Sequence, residues 1–322
     1  MTPQHANAAV TRAADLHLVV TCSNRKTRPV PQELRLQQLR RVAPARRSSA
    51  WIARLEQVCV DAVAANELYA GEHWHVARGL PRLAARTGRH ASLWICSAGY
   101  GLVRADSLLR PYAATFSPRH PDSVGERREE LVAWWRELAN WPGPSVDNAH
   151  SLAELARSDP DAVLLVALSP AYLQACAEDL LEAATELRSP MQLTIVSVGG
   201  RSHRDLTPHL VPGDARLQHA LGGTRQALNV RVLAYLLTKH AGPFVHPEIS
   251  HTLATLLAAQ PPVPRYGRVG CSDAQVASFV QRRLTAEPDA THSRLLREFR
   301  DTGRACEQSR FATVFRTVQE KR

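Results

Sequence analysis

The chain is poor in several things that would narrow its class. Lysine is nearly missing: Lys26, Lys239 and Lys321 are three of the forty basic residues. Positive charge is therefore carried by arginine, whose planar fork suits phosphate. Six cysteines (Cys22, Cys59, Cys96, Cys176, Cys271, Cys306) stand singly, without CxxC or Cys/His ligand spacing. Neither a zinc site nor a disulfide framework is expected from them. The fourteen histidines form no HExxH and no H-x-E with P-C-x-x-C, and no GxxxxGK(S/T) loop occurs. Metallopeptidase, zinc deaminase and nucleoside-triphosphatase chemistry are thereby disfavoured. Gly99-Tyr100-Gly101 is too short for a dinucleotide fingerprint. No stretch of about 18 uncharged apolar residues exists, and the amino terminus has no apolar signal run. The expectation is a cytoplasmic protein with no membrane partner, no metal and no cofactor.

What is present points to a polyanion. The net charge is +10 and the pI is 9.8, and the charge is concentrated. Residues 1–50 carry nine basic groups (Arg12, Arg25, Lys26, Arg28, Arg35, Arg40, Arg41, Arg46, Arg47) against Asp15 and Glu33. Such clustering is the electrostatic footprint of a nucleic-acid surface. With 322 residues, 44% of them apolar, the chain fills one large α/β domain and a small appendage.

Short apolar runs without helical period, at residues 16–21, 91–96, 162–168 and 192–198, read as buried strands of a parallel sheet. Amphipathic spacing predicts helices over residues 51–66, 72–86, 124–140 and 170–187; Trp134 and Trp135 interrupt the polar face of the third and are expected in the core. A glycine turn capped by Thr224 opens another helix through residue 237. The fold class expected is α/β, a doubly wound, mostly parallel sheet flanked by helices, over residues 1–260. A proline-rich linker (261–271) leads to a small all-helical module (272–322), with helices over 273–284, 292–301 and 307–318 and Gly303 ending the middle one. Its arginines suggest a helix-turn-helix unit, although ten cations against seven acids leave it only +3.

Two strands run directly into polar loops. LHLVVT is followed by CSNRK (22–26), and ASLWIC by SAGYGLV (97–103) and RPYAATF (110–116). Ligands of open α/β sheets bind beyond the carboxyl ends of such strands. With ELYAGEHW (67–74) and LGGTRQALNVR (221–231), these motifs resemble those of the YaaA-like proteins, over roughly residues 16 to 240. The resemblance implies an architecture like that of uracil-DNA glycosylases, binding to DNA, and in some relatives glycosylase chemistry on modified phage bases.

Glycosidic hydrolysis passes through a sugar with oxocarbenium character, so it needs a carboxylate or dipoles near C1′, a placed water, and hydrogen bonds to the departing base. It also needs a pocket for a flipped nucleotide. The candidates are Asp106, as leading carboxylate, with Asn24 and Glu67. Cys22, Ser23, Ser97, Tyr100 and Tyr112 are assigned to the base pocket, where the tyrosines either stack on a base or are buried and bonded to backbone. Arg25, Lys26, Arg110, Arg201, Gly222, Gly223, Thr224, Arg225, Asn229, Arg231, Arg294, Arg297 and Arg304 are assigned to DNA. Gly222 and Gly223 precede a helix N-terminus that can hold phosphate through backbone N–H groups. A nucleophilic Lys26 would make the enzyme bifunctional; the expectation is a monofunctional glycosylase that leaves an abasic site. The expected partner is double-stranded, modified phage DNA. Two other readings remain open: a non-catalytic, YaaA-like DNA-binding protein of the stress response, and a nucleoside or nucleotide N-glycosidase.

Overall fold

The computed structural model describes residues 15–199, 204–262 and 267–320; Arg12 and Arg201 lie outside them. The chain divides into two compact units, Met1–Pro261 and Pro262–Arg322.

In the first unit, β1 (Leu16–Thr21) is buried along its whole length, which is why it shows no alternation of polar and apolar residues. Helix α1 (Pro44–Gln57) starts earlier than the apolar spacing from Trp51 predicts. Its first turns carry the basic Ala45-Arg46-Arg47 face, and Pro44 fits a first turn because no donor is needed there. It also ends earlier, because residues 63–64 are drawn into β2 (Val63–Ala64), followed by the single turn of α2 (Ala65–Leu68). The helix expected over 72–86 is two, α3 (Glu72–Ala77) and α4 (Leu80–Arg86). Pro81 cannot donate in a continuous helix and its ring crowds the preceding turn, so the chain breaks at Gly79.

Next come β3 (Ala91–Ser97), β4 (Gly101–Arg104) and β5 (Leu108–Leu109), the last paired antiparallel with β2. Helix α5 (Arg128–Ala139) starts four residues later than expected, with the Glu130 carboxylate accepting the N–H groups of Glu126 and Arg127. Its Trp134 and Trp135 are buried. After α6 (Leu152–Ser158) and β6 (Val163–Ala167), the helix expected over 170–187 is broken at Cys176 into α7 (Pro170–Ala175) and α8 (Ala177–Glu186). The unit closes with β7 (Leu193–Val196), α9 (Leu217–Leu221), α10 (Leu228–Lys239) and α11 (His246–Ala258).

The central sheet has five strands in the order β4-β3-β1-β6-β7. β3, β1, β6 and β7 are parallel, and β4 is the antiparallel edge. Helices flank it, with α4 against β3 and α10 against β6 and β7. The connection from β1 leads to one side of the sheet, while β6 and β7 build the other, so the order reverses between β1 and β6. A crevice opens outside the carboxyl ends of the strands at such a point.

The second unit holds α12 (Asp273–Ala286), α13 (His292–Asp301) and α14 (Gln308–Glu320). Ser272 caps α12, and Gly303, at φ 77°, follows the end of α13. Phe279, Phe299, Phe311 and Phe315 anchor its core. The unit is not wholly helical: Val269–Gly270 and Arg304–Ala305 pair as parallel two-residue strands, so part of the expected linker is built into the module. Among the described residues no helix is long and apolar enough to cross a membrane.

Candidate functional site

The loop leaving β1 turns at the carboxyl edge of the sheet. Cys22 is buried, and its sulfur lies 3.1 Å from the Tyr172 hydroxyl on α7; this contact sits at the reversal of strand order. Ser23 donates to the carbonyl of Ala70 at 2.6 Å, and the backbones of Lys26 and Tyr69 form a bridge. The CSNRK loop is thereby stitched to the ELYAGEHW segment. Lys26 folds back over its own loop, its Nζ donating to the carbonyls of Ser23 at 2.7 Å and Asn24 at 3.3 Å. The same nitrogen stands 4.4 Å from the ring centre of Tyr112 and 5.1 Å from that of Tyr69. Among the described residues it makes no ion pair with a carboxylate. Burial lowers it from an ordinary lysine's 10.5 to about 8, with the charges of Cys22 and Asp122 opposing the shift.

Beneath Lys26 the two tyrosines belong to a sealed polar chain. The Tyr69 and Tyr112 hydroxyls are 3.0 Å apart, and Tyr112 is 2.7 Å from Ser97 Oγ, which also accepts the N–H groups of Gly99 and Tyr100. Burial holds both phenols well above 10. Two tryptophans fix the turn from outside, Trp51 donating to the Gly99 carbonyl and Trp134 to that of Ala98, both at 2.8 Å. Gly99 is required by close approach: a Cβ there would stand 2.4 Å from two Tyr112 ring atoms.

The third part is the turn over residues 117–123, downstream of RPYAATF. Asn24 Nδ2 lies 3.1 Å from His120 Nε2, and His120 Nδ1 accepts the Asp122 N–H at 3.0 Å. A neutral imidazole that accepts at Nδ1 carries its proton on Nε2, so Nε2 must donate. The edge of Asn24 that suits it is Oδ1, with the amide turned accordingly. The Asn24 NH2 is then left outward at the exposed rim. Asp122 is buried, its Oδ1 accepting the Gln37 N–H at 3.0 Å, and Arg40 donates to the Pro121 carbonyl. Arg119, at φ 61°, is the only non-glycine with positive φ among the described residues. A left-handed arginine costs on the order of 1–2 kcal/mol, strain of the kind that collects in functional turns.

Other residues singled out from the sequence lie elsewhere. Asp106 follows β4, which runs backwards along β3: Arg104 pairs with Trp94, and the Ala105 N–H bonds the Leu93 carbonyl. Asp106 thus lies at the amino end of the parallel strands, roughly 16 Å of strand from Ser97 at about 3.3 Å per residue. It is exposed and paired with Arg104 at 3.2 Å. Glu67 is closer, exposed on α2, with its carbonyl accepting the Thr27 hydroxyl at 2.8 Å. Tyr100 and Tyr112 are buried and present no face to a base; the Tyr100 hydroxyl bonds the Arg110 backbone. Arg110 is turned inward to the Leu55 carbonyl at 2.8 Å.

The glycine turn before α10 already holds an anion, and it is the chain's own. The Glu72 carboxylate accepts the Thr224 N–H at 3.2 Å and pairs with Arg231 at 2.8 Å, which holds Glu72 below the usual carboxylate range. Gly223 is crowded by the same pair, while Gly222 and Arg225 are exposed. Asn229 is buried and ties two strand ends, accepting the Val198 N–H and donating to the Leu168 carbonyl. In the second unit Arg294 pairs with Glu287 and Glu298, Arg304 lies 5.8 Å from the ring centre of Phe299, and Arg297 is exposed beside a hollow of about 370 Å³.

The structure therefore brings together Cys22, Ser23, Asn24, Lys26, Ser97 and Tyr112, and adds Tyr69, Tyr172, His120 and Asp122. Tyr69 lies inside the ELYAGEHW segment, and His120 and Asp122 sit in a polar, proline-flanked S-P-R-H-P-D turn, the one signal that could have found them. Arg25, Arg28, Arg41 and Arg46 are exposed and make no ion pair among the described residues. In the same set no three His, Cys, Asp or Glu side chains converge as metal ligands. Compared with known protein families and with curated proteins, the chain matches none.

Proposed function

We propose that this protein is a DNA glycosylase that removes a modified base, such as a hydroxymethylated or glucosylated phage cytosine, leaving an abasic site in anti-phage defence. In this reading the sheet is a uracil-DNA-glycosylase-like scaffold. The observation that carries the proposal is the Asn24–His120 pair at the carboxyl edge, beside a half-buried cation and next to exposed arginines. A flipped base entering this edge meets the outward NH2 of Asn24, polarised by His120, as a donor to a carbonyl oxygen. As the glycosidic bond lengthens, its electron pair moves onto the base, and that donor and the Lys26 ammonium stabilise the growing negative charge. Water supplies hydroxide to C1′ and a proton to the base. Asp122, not Asp106, is the carboxylate whose field reaches Lys26. The exposed arginines would hold the flanking phosphates.

A binding-only protein is the second reading, favoured by one fact: the Asp122 carboxylate is buried and already engaged by Gln37. The test is incubation with DNA bearing natural, uracil, oxidised, hydroxymethylated or glucosylated bases, with released bases measured by mass spectrometry. Selective release that falls about 100-fold or more in Asn24→Ala and His120→Ala, and is unchanged in Asp106→Asn, is expected. Salt-sensitive binding with no release from any substrate moves the assignment to the binding protein.

A further inference from the structure

We propose that Lys26 is a nucleophilic amine that condenses with the C1′ aldehyde of an abasic site, so that the protein captures its own product covalently and can nick the strand. The inference rests on the glycosylase reading for the origin of the aldehyde, and the geometry of Lys26 carries it.

The amine is placed as a nucleophile rather than as a phosphate contact. A lysine that grips phosphate reaches into solvent as an ammonium on a free stem. Lys26 instead lies over two buried phenol rings, with its nitrogen bonded to the carbonyls of Ser23 and Asn24. A neutral amine has two N–H groups and one lone pair. The two carbonyls take the two N–H groups, and the lone pair is left for an electrophile. No carboxylate ion pair holds the charged form among the described residues. With a value near 8, about a tenth of the amine is neutral at pH 7, on the order of 300 times the fraction of an ordinary lysine. Desolvation over an apolar surface is a recognised means of activating a lysine. Asn24 stands two residues from Lys26 in the same loop and its carbonyl accepts from the amine, so a sugar whose base is released at Asn24 lies beside that amine.

The step balances without an oxidant. Ring opening of the hydrolysed deoxyribose exposes the aldehyde. The Lys26 lone pair forms a bond to C1′, the carbonyl oxygen takes one amine proton and one proton from solvent and leaves as water, and a protonated imine remains. Loss of a C2′ proton to solvent then breaks the C3′–oxygen bond, with the 3′ phosphate as leaving group. Hydrolysis of the imine returns the amine.

The experiment uses the full chain and a duplex with one preformed abasic site, made beforehand by a separate uracil glycosylase, in the presence of sodium cyanoborohydride. Hydride reduces the imine to a stable secondary amine. The expected result is a protein–DNA adduct on a denaturing gel, mapped by peptide mass spectrometry to Lys26. Lys26→Arg should lose it at least 50-fold, and Lys239→Arg should keep it. With three lysines in the chain, mapping the wild-type adduct decides the matter even if Lys26→Arg folds poorly. No adduct, or one on another lysine or on the terminal amine, overturns the proposal. Because the abasic site is supplied, this outcome is independent of base release: an adduct without release defeats the glycosylase reading alone, and release without an adduct defeats the capture alone.

Discussion

Replacing Lys26 by Met tests the half-buried cation directly, because its titration leaves a signature in stability. Burial takes the amine from 10.5 to about 8. The unfolded chain therefore holds this proton up to the ordinary lysine value, while the folded chain releases it near 8. Between the two the unfolded state binds more protons, so the stability of the wild type rises with pH by about 1.4 kcal/mol per unit. Below pH 8 the group carries its full penalty, about 3 kcal/mol, which disappears as pH rises towards 10.5. Lys26→Met has no such group. The difference in unfolding free energy, variant minus wild type, should fall by about 2 kcal/mol from pH 7 to pH 9.5. Loss of the Ser23 and Asn24 hydrogen bonds and of the ring contacts shifts that difference by a constant and leaves its slope alone. Cys22, Asp122, Tyr69 and Tyr112 stand around the amine and are common to both chains. Urea unfolding at four pH values measures it. A difference that stays flat within about 0.5 kcal/mol would refute the desolvation of the amine and, with it, the reason for its activation.

Two further substitutions test the frame around the site. Asn229→Ala leaves the Val198 N–H and Leu168 carbonyl without partners in a buried place and should cost about 2–4 kcal/mol, read as a lower urea midpoint at unchanged slope; a loss under 0.5 kcal/mol would mean water replaces the amide. Gly99→Ala puts a methyl into the Tyr112 ring and should cost about 1–3 kcal/mol by overpacking, while also moving the Lys26 titration towards 10.5 as the ring beneath it shifts; an unchanged titration in a destabilised variant would show that Tyr112 does not hold the amine.

The parallel strands were legible because burial on both faces writes continuous apolar runs, and 16–21 and 91–96 match β1 and β3 nearly residue for residue. Helix limits were less so. Period alone does not show that Pro81 splits α3 from α4, or that residues 63–64 are claimed by β5 through a pairing about forty-five residues away. The first loop of the candidate site was legible from its place after β1. The fate of Asp106 was not, because its distance from that loop depends on β4 turning back antiparallel rather than continuing as a crossover. Glu72 filling the glycine turn was invisible for a similar reason: the turn reads as a phosphate site until a carboxylate 152 positions away is seen to occupy it. His120 was missed because a single loop histidine carries no period, and only the fold sets it against Asn24.

The tryptophans that grip the Ala98 and Gly99 carbonyls give the site its own optical reporter. Trp51 meets the Tyr112 ring edge-on at 6.4 Å between centres, and Trp134 lies at the same distance from Trp51. Both indoles are buried, so their emission depends on the fields of the neighbouring carbonyls and phenols rather than on solvent. Whatever displaces Tyr112, whether a nucleotide pressing on Lys26 or a charge lost from that amine, alters the surroundings of two fluorophores that never touch the ligand. Occupancy of the crevice can then be followed by intrinsic fluorescence, without labelling either the protein or its partner.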